Sequence, residues 1–395
     1  MRFHLTAYLI TALIPVALSA QSRARVVIPD SSQEVPDDVG FRAHTNHLIL
    51  VRPTFTGTAP SGETPQSIQP VYRLPVTGGS GIIAIVDAFD YPTAENDLNV
   101  FSSQFGLPAC TTANGCFTKV YARGTQPRTN CGWGQEAALD IEWAHAMAPS
   151  AKIVLVEAAS SSFANLFAGV DVASKWIASH GSQGEVSMSW GGSEFSSEAS
   201  NDFHFTPPSG ASIVYFAASG DTGGATIYPG VSPAVVAAGG TTIHRDTSGN
   251  FISETGWSGS GGGPSTYEAR PGYQSIVSGI VGSSRGVPDF SFDADPNSGV
   301  SVYDSTKCQG LSGWLVFGGT SVASPSLAGI VNLAGSFVAD SFTELATIYG
   351  GVSNSGATIS SNFRDIVSGS AGSFRATTGW DFVTGVGSNQ GLSGK

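Results

Sequence analysis

Three short stretches hold residues whose types and spacing could do chemistry. In "FGGTSVASPSLAGIVNLAG" (317–335), Ser321 stands between a Gly-Gly-Thr turn and an apolar, helix-compatible run. A serine at a helix start meets free N–H groups and the positive dipole end, both able to stabilise a developing oxyanion, so Ser321 is a nucleophile candidate. The alternative is an ordinary serine N-cap. In "GQEAALDIEWAH" (134–145), Glu136 and Asp140 stand four residues apart and would repel each other on one helix face. Either that face is wet, or the two acids share a proton and an apolar setting raises the pKa of one of them. In "ASGDTGG" (218–224), Asp221 follows an apolar run, at the carboxyl end of a strand where open α/β sheets build their sites. If protonated, it could donate a hydrogen bond to an oxyanion; an acid in a Gly-rich turn is also commonplace.

The elements that would position these residues are legible as apolar runs without polar alternation. They are "GIIAIVDAF" (81–89), "AKIVLVEA" (151–158), "EVSMSW" (185–190), "ASIVYFAASG" (211–220) and "AVVAAGG" (234–240). Such runs suit a parallel sheet covered on both faces. Helix-compatible segments at 134–147 and 161–179 lie between them, giving the βαβ rhythm of a doubly wound α/β fold. No internal repeat is present, and "GWSGSGGGPS" (256–265) reads as a surface loop.

Composition bounds the function. The 395 residues are 41% hydrophobic and only 12% charged, about half the usual charged share. A surface with few ion pairs has few to lose in acid. The net charge of −12, with no Lys/Arg cluster, argues against nucleic acid as a partner. "MRFHLTAYLITALIPVALSA" (1–20) reads as a secretory signal: a basic Arg2, a short Pro-broken apolar run, then small residues for a signal peptidase. No later run is long enough to span a bilayer, so an exported protein without a membrane anchor is expected. Export permits disulfides among Cys110, Cys116, Cys131 and Cys308. Cys110 and Cys116 flank the turn-like "TTANG", which pairs them first and leaves Cys131 for Cys308; no zinc pattern is present.

The string around Ser321 resembles the active-serine motif shared by subtilisins and sedolisins. The histidines separate the two. A subtilisin-like base would sit in a His-Gly-Thr-His stretch, and none of the seven histidines (4, 44, 47, 145, 180, 204, 244) lies in one. His145, beyond Asp140 on the same helix, is read as a packing residue. The Glu136/Asp140 pair matches the sedolisin pattern instead. The similarity runs through nearly all of 62–391, including "TPQSIQPVYRLP", "IAIVDAFDYPTAENDL", "VSMSWGG" and "RGVPDFSFDADPNSGVSVY".

The resemblance implies a single large subtilisin-like α/β domain over 62–395, its mostly parallel sheet carrying helices on both faces. It implies a secreted, acid-active serine-carboxyl endopeptidase that acts on protein or peptide substrates and is a monomer. Ser321 would be the nucleophile and Glu136 the base, with Asp140 behind Glu136 and hydrogen-bonded to it. Protonated Asp221 and the Ser321 N–H would hold the oxyanion. Asp87 and Asp90 are left structural. "FRDIVSGSAGSFRATTGWDFVTGVG" (363–387) resembles the family's calcium loop, which implies one structural Ca²⁺ held by Asp365 and Asp381 and by the carbonyls of Ile366, Thr377 and Gly379. The family pattern has Gly where Thr377 stands. Family members carry a long propeptide, whereas 21–61 is too short for an independent domain and reads as a pro-region remnant or linker. Two rivals stay open: a secreted binding protein that keeps the fold without turnover, and a neutral Ser-His-Asp peptidase.

Overall fold

The computed structural model describes residues 23–53 and 55–395; the signal reading for 1–20 lies outside them. A central sheet of ten strands organises the domain. From one edge its order is Phe363–Arg364, Ser388–Asn389, Phe290–Asp293, Val236–Arg245, Ser212–Ala218, Gln183–Met188, Ile82–Ala88, Lys152–Ala158 and Phe117–Tyr121, with Phe251–Gly256 paired antiparallel to Val236–Arg245. The pairings from Ser388–Asn389 to Phe117–Tyr121 are parallel. The crossing order, with helices on both faces, is the doubly wound arrangement that the apolar runs predict.

Side chains of Ile82–Ala88 show how the faces divide. Ile83 and Ile85 enter one core with the helices Cys131–Met147 and Thr320–Ala334. Ile82, Ala84 and Val86 enter the other, beneath the helix Phe163–His180. Period-two alternation therefore puts Asp87 on the face covered by Cys131–Met147.

Cys131–Met147 starts where Asn130 accepts hydrogen bonds from Gly132 N and Trp133 N at 3.0 and 3.2 Å, satisfying two free donors of the first turn. Residues 132–147 are buried all round, against the sheet and against Thr320–Ala334. That helix contact is close because Gly329 lacks a side chain: an added Cβ would lie 2.7 Å from Met147 Cβ and 3.1 Å from Ala144 O. Disulfides join Cys110 to Cys116 and Cys131 to Cys308, the pairing that the "TTANG" loop suggests.

Residues 25–51 are built into the domain. Arg25–Val27 pairs antiparallel with Leu48–Val51, which pairs with Leu311–Gly318, the strand leading to the serine helix. His44–Thr45 pairs antiparallel with Trp190–Ser193. The apolar "HLILV" explains the Leu48–Val51 strand; nothing local announces its distant partners.

Gly329→Ala should force the two site-bearing helices apart. The expected loss of stability is about 1–3 kcal/mol, the usual range for overpacking, read from the urea midpoint at unchanged slope.

Candidate active site

Ser321 is the second residue of Thr320–Ala334 and is fully buried. Gly319 before it has φ +99°, and a Cβ there would collide with Asn46 O and Asp221 Oδ2. The turn thus needs glycine both for its backbone conformation and for space. It aims the Ser321 N–H at the carbonyl oxygen of Asn46, 3.0 Å away. Ser321 Oγ donates to Ser189 O at 3.2 Å and accepts from Asn46 N at 3.2 Å.

The acid helix supplies Glu136 and Asp140, both with no exposed surface. Glu136 Oε2 accepts from Asn46 N at 3.2 Å and lies 2.9 Å from His47 Nδ1. Asp140 Oδ1 accepts from Ser189 Oγ at 2.8 Å, and that hydroxyl also lies 3.3 Å from Ser321 O. Among the described residues Glu136 and Asp140 share no direct hydrogen bond: Asp140 is bonded instead to Ser189, which reaches it from the break between Gln183–Met188 and Trp190–Ser193. Glu136 Oε1 and Asp140 Oδ2 are buried without a hydrogen-bond partner.

A third acid joins them. Asp87 is buried with neither oxygen hydrogen-bonded. Burial first, then the charges of Glu136 and Glu157, hold its carboxyl well above the usual range. Burial, then Asp87, then Glu136 do the same to Asp140. Sequence reading leaves Asp87 structural, yet a signal exists: it is an acid within an otherwise apolar strand, on the same face as Ile83 and Ile85. Asp90 is structural, bonded to Lys119 Nζ at 2.6 Å and Gln126 Nε2 at 2.7 Å. His145 packs away from the serine, its Nε2 2.9 Å from Pro108 O.

Asp221 Oδ1 accepts from Thr320 N at 2.7 Å and Thr320 Oγ1 at 2.8 Å. Its Oδ2 is shielded from solvent without a partner, and the added Cβ on Gly319 would meet that atom and Asn46 O together. Burial pushes the Asp221 carboxyl up to about 8 against the two Thr320 hydrogen bonds, with the Glu136 charge adding to the rise. A neutral carboxyl here has a hydrogen to give to the same oxygen that faces Ser321 N–H.

The Asn46 backbone thus meets Ser321 with both its N–H and its carbonyl oxygen, and Glu136 with its N–H. Asn46 N also lies 3.2 Å from Ser189 O. Beside it is a cavity of about 450 Å³ whose lining includes Ser193, Asp221, Thr222 and Thr226. Asn46, His47 and Ser189 have no local sequence signal; the pattern that brings them in is the antiparallel pairing of His44–Thr45 with Trp190–Ser193.

In the C-terminal loop, Asp365 accepts from Gly379 N, and Asp381 accepts from Thr377 N, Val383 N and Thr384 N. Burial pushes the Asp381 carboxyl up to about 6. The carbonyls of Ile366, Thr377 and Gly379 accept no hydrogen bond from the described residues. Two carboxylates and three free carbonyls around one loop are a donor set suited to a hard cation.

No family model matches the sequence. Against curated proteins, the chain is 35% identical to sedolisin of Pseudomonas sp. (strain 101) over 176 residues, 41% of this chain and 28% of that protein. It is 28% identical to kumamolisin of Bacillus sp. (strain MN-32) over 372 residues, 85% of this chain and 63% of that protein. It is 33% identical to xanthomonalisin of Xanthomonas sp. (strain T-22) over 190 residues, 40% and 21% of the two chains. The chain therefore spans less than two thirds of each of these relatives. Among solved structures, Pseudomonas sedolisin, a serine-carboxyl proteinase complexed with pseudo-iodotyrostatin, matches with a TM-score of 0.67 at 25% identity, over 84% of this chain and 96% of that one. Sphericase shares the fold, with a TM-score of 0.53 at 20% identity over 84% and 99% of the two chains. By sequence the chain is similar to sedolisin-type peptidases, and by architecture it has the subtilisin-like fold of Pseudomonas sedolisin.

Proposed function

We propose that the chain is a secreted serine-carboxyl endopeptidase that works in acid. The observation that carries this reading is the Asn46 backbone, whose carbonyl oxygen lies on the Ser321 N–H while its own N–H lies 3.2 Å from Glu136 Oε2. A substrate carbonyl in that position presents its carbon to Ser321 Oγ. Glu136 takes the hydroxyl proton as the C–O bond forms, and the oxyanion rests between the Ser321 N–H and neutral Asp221. Glu136 then returns the proton to the departing amine. Water enters by the same route in reverse, releasing the acid and restoring Ser321. Asp140 and Asp87 do not touch substrate; held neutral by burial, they keep the charge near Glu136 from building up. The substrate lies extended and antiparallel to Trp190–Ser193, as His44–Thr45 does.

Export is supported by the two disulfides and by the apolar N-terminal stretch. No helix of the described residues is long and apolar enough to cross a membrane. We also propose that Asp365, Asp381 and the carbonyls of Ile366, Thr377 and Gly379 hold one Ca²⁺, which bound there would tie 365–366 to 377–381 and take no part in the reaction.

Ser321→Ala is expected to lower kcat on denatured casein by about 10⁴-fold or more, measured at pH 4 on the purified chain. Unchanged hydrolysis would sink the reading. Asp221 donates only while protonated, so its hydrogen bond is present below about pH 8 and disappears as pH rises through that value. Wild-type kcat should accordingly decline by pH 8 at the latest. Asp221→Ala should lose about 10²- to 10³-fold in kcat, while Asp221→Asn, a donor at every pH, keeps more activity and declines later on the alkaline side. For calcium, chelation should remove on the order of 2–3 kcal/mol of stability relative to buffer with excess Ca²⁺. Asp381→Ala should abolish that difference in calorimetry; a melting temperature indifferent to chelator would rule the ion out.

A further inference from the structure

A second set of charged side chains gathers on a cavity that shares no residue with the Ser321 cluster. This cavity, of about 530 Å³, is lined by Arg73, Arg245 and Arg364 and by no acidic residue. The chain has 18 basic residues among 395 and a net charge of −12, so three guanidiniums on one cavity reverse its charge locally.

Two of the three are fixed from behind. Arg245 Nε and Nη2 donate to the Glu63 carboxylate at 2.6 and 2.7 Å, and Nη2 also donates to Ser67 O at 2.8 Å. Arg364 Nη1 donates to the buried Glu254 carboxylate and Nη2 donates to Val71 O at 2.8 Å, while its guanidinium lies 4.6 Å over the Phe251 ring. Ser67 and Val71 are four residues apart in the helix Pro65–Val71, so their carbonyls stand on one face, about 6 Å apart along the axis. That spacing keeps two guanidiniums side by side, within reach of one small anion. Among the described residues Arg364 Nε makes no hydrogen bond.

Arg73 stands two residues beyond Val71. Leu74 N–H donates to Gln69 O at 2.9 Å, a six-to-one closure of the helix end, and Arg73 takes the φ of +55° that the closure needs. Glycine or asparagine is the usual occupant, because a larger side chain strains the backbone there. Arginine instead places an exposed guanidinium on the cavity, with no ion-pair partner among the described residues. A cation favours a helix C-terminus in general, but Arg364 already meets the last carbonyl. The fold alone gives the strained Arg73 no work.

We propose that this cavity is a binding site for a tetrahedral oxyanion, sulfate or a phosphate group, held by Arg73, Arg364 and Arg245. Guanidinium forks match the oxygen edges of such ions, and four oxygens can serve three arginines where a planar carboxylate offers two. Bound there, the anion would tie the end of Pro65–Val71 to Phe363–Arg364 and to the Val236–Arg245 strand. The proposal uses none of the residues of the peptidase reading and is independent of it.

The test is calorimetric titration and thermal unfolding of the full chain with sulfate, inorganic phosphate and glucose 6-phosphate, against chloride and acetate at matched ionic strength. The wild type should show one saturable site for sulfate and phosphate, with a melting temperature that rises as the site fills. Arg73→Gln should bind about tenfold more weakly or worse, as loss of a charge-assisted hydrogen bond requires. Arg73→Gly suits the left-handed backbone, so it should melt in chloride at or above the wild-type temperature yet lose the sulfate-dependent rise; a folding defect cannot imitate that pair of results. Arg123→Gln, which removes an exposed arginine bonded to Asn165, should titrate like the wild type. Tighter binding of glucose 6-phosphate than of inorganic phosphate would assign the site to a phosphate group on a larger molecule, and weaker binding to the free ion. A rise in melting temperature that chloride or acetate matches overturns the proposal. So does an Arg73→Gln titration identical to the wild type, or an Arg123→Gln variant weakened as much as Arg73→Gln.

Discussion

Three carboxyl groups, those of Asp87, Glu136 and Asp140, lie in the core with no lysine or arginine bonded to any of them among the described residues. Charging all three there would be prohibitive, so protons must stay with some of them. Much of the architecture keeps that arrangement intact. The sheet strand fixes Asp87 from below, the acid helix fixes the other two from above, and the absence of a side chain at Gly329 lets the serine helix come close enough to close the lid of the cluster. Ser321 and Glu136 are thus neighbours because two helices touch.

The same constraint explains why the site is indirect. Ser189, at the point where one strand gives way to the next, answers to Asp140 with its hydroxyl and to Ser321 with its carbonyl. Asp140, held by a serine hydroxyl and not by Glu136, can adjust by rotating that one bond. A direct carboxyl–carboxyl hydrogen bond would instead fix both helix side chains relative to each other.

How much of this is legible beforehand depends on range. Ser321 announces itself through Gly-Gly-Thr and the apolar run after it, because turn and helix start are local matters. Glu136 and Asp140 are on one face by periodicity, although periodicity says nothing about the depth at which that face lies; a helix buried on every side gives no amphipathic stripe. The apolar runs locate the parallel strands well, while Val236–Arg245 extends beyond its apolar run because it gains Phe251–Gly256 as an antiparallel partner. Asn46 is another matter: it meets Ser321 across 275 positions, and a polar residue in an ordinary-looking connector carries no mark of that. Asp87 falls between the cases, since alternation along its strand points it at the acid helix but only the packing shows which helix that is.

The strand Trp190–Ser193 has neighbours on both sides, Ile227–Tyr228 and the chain's own His44–Thr45. Removal of the second leaves a short row of bare N–H and C=O groups, which is a template for any extended chain, including another copy's. A binding edge of this type is therefore also an aggregation hazard, and proteins usually blunt such edges by twisting or charging them. Here the edge is kept brief, four residues with two glycines, and one side of it is covered by the chain's own His44–Thr45.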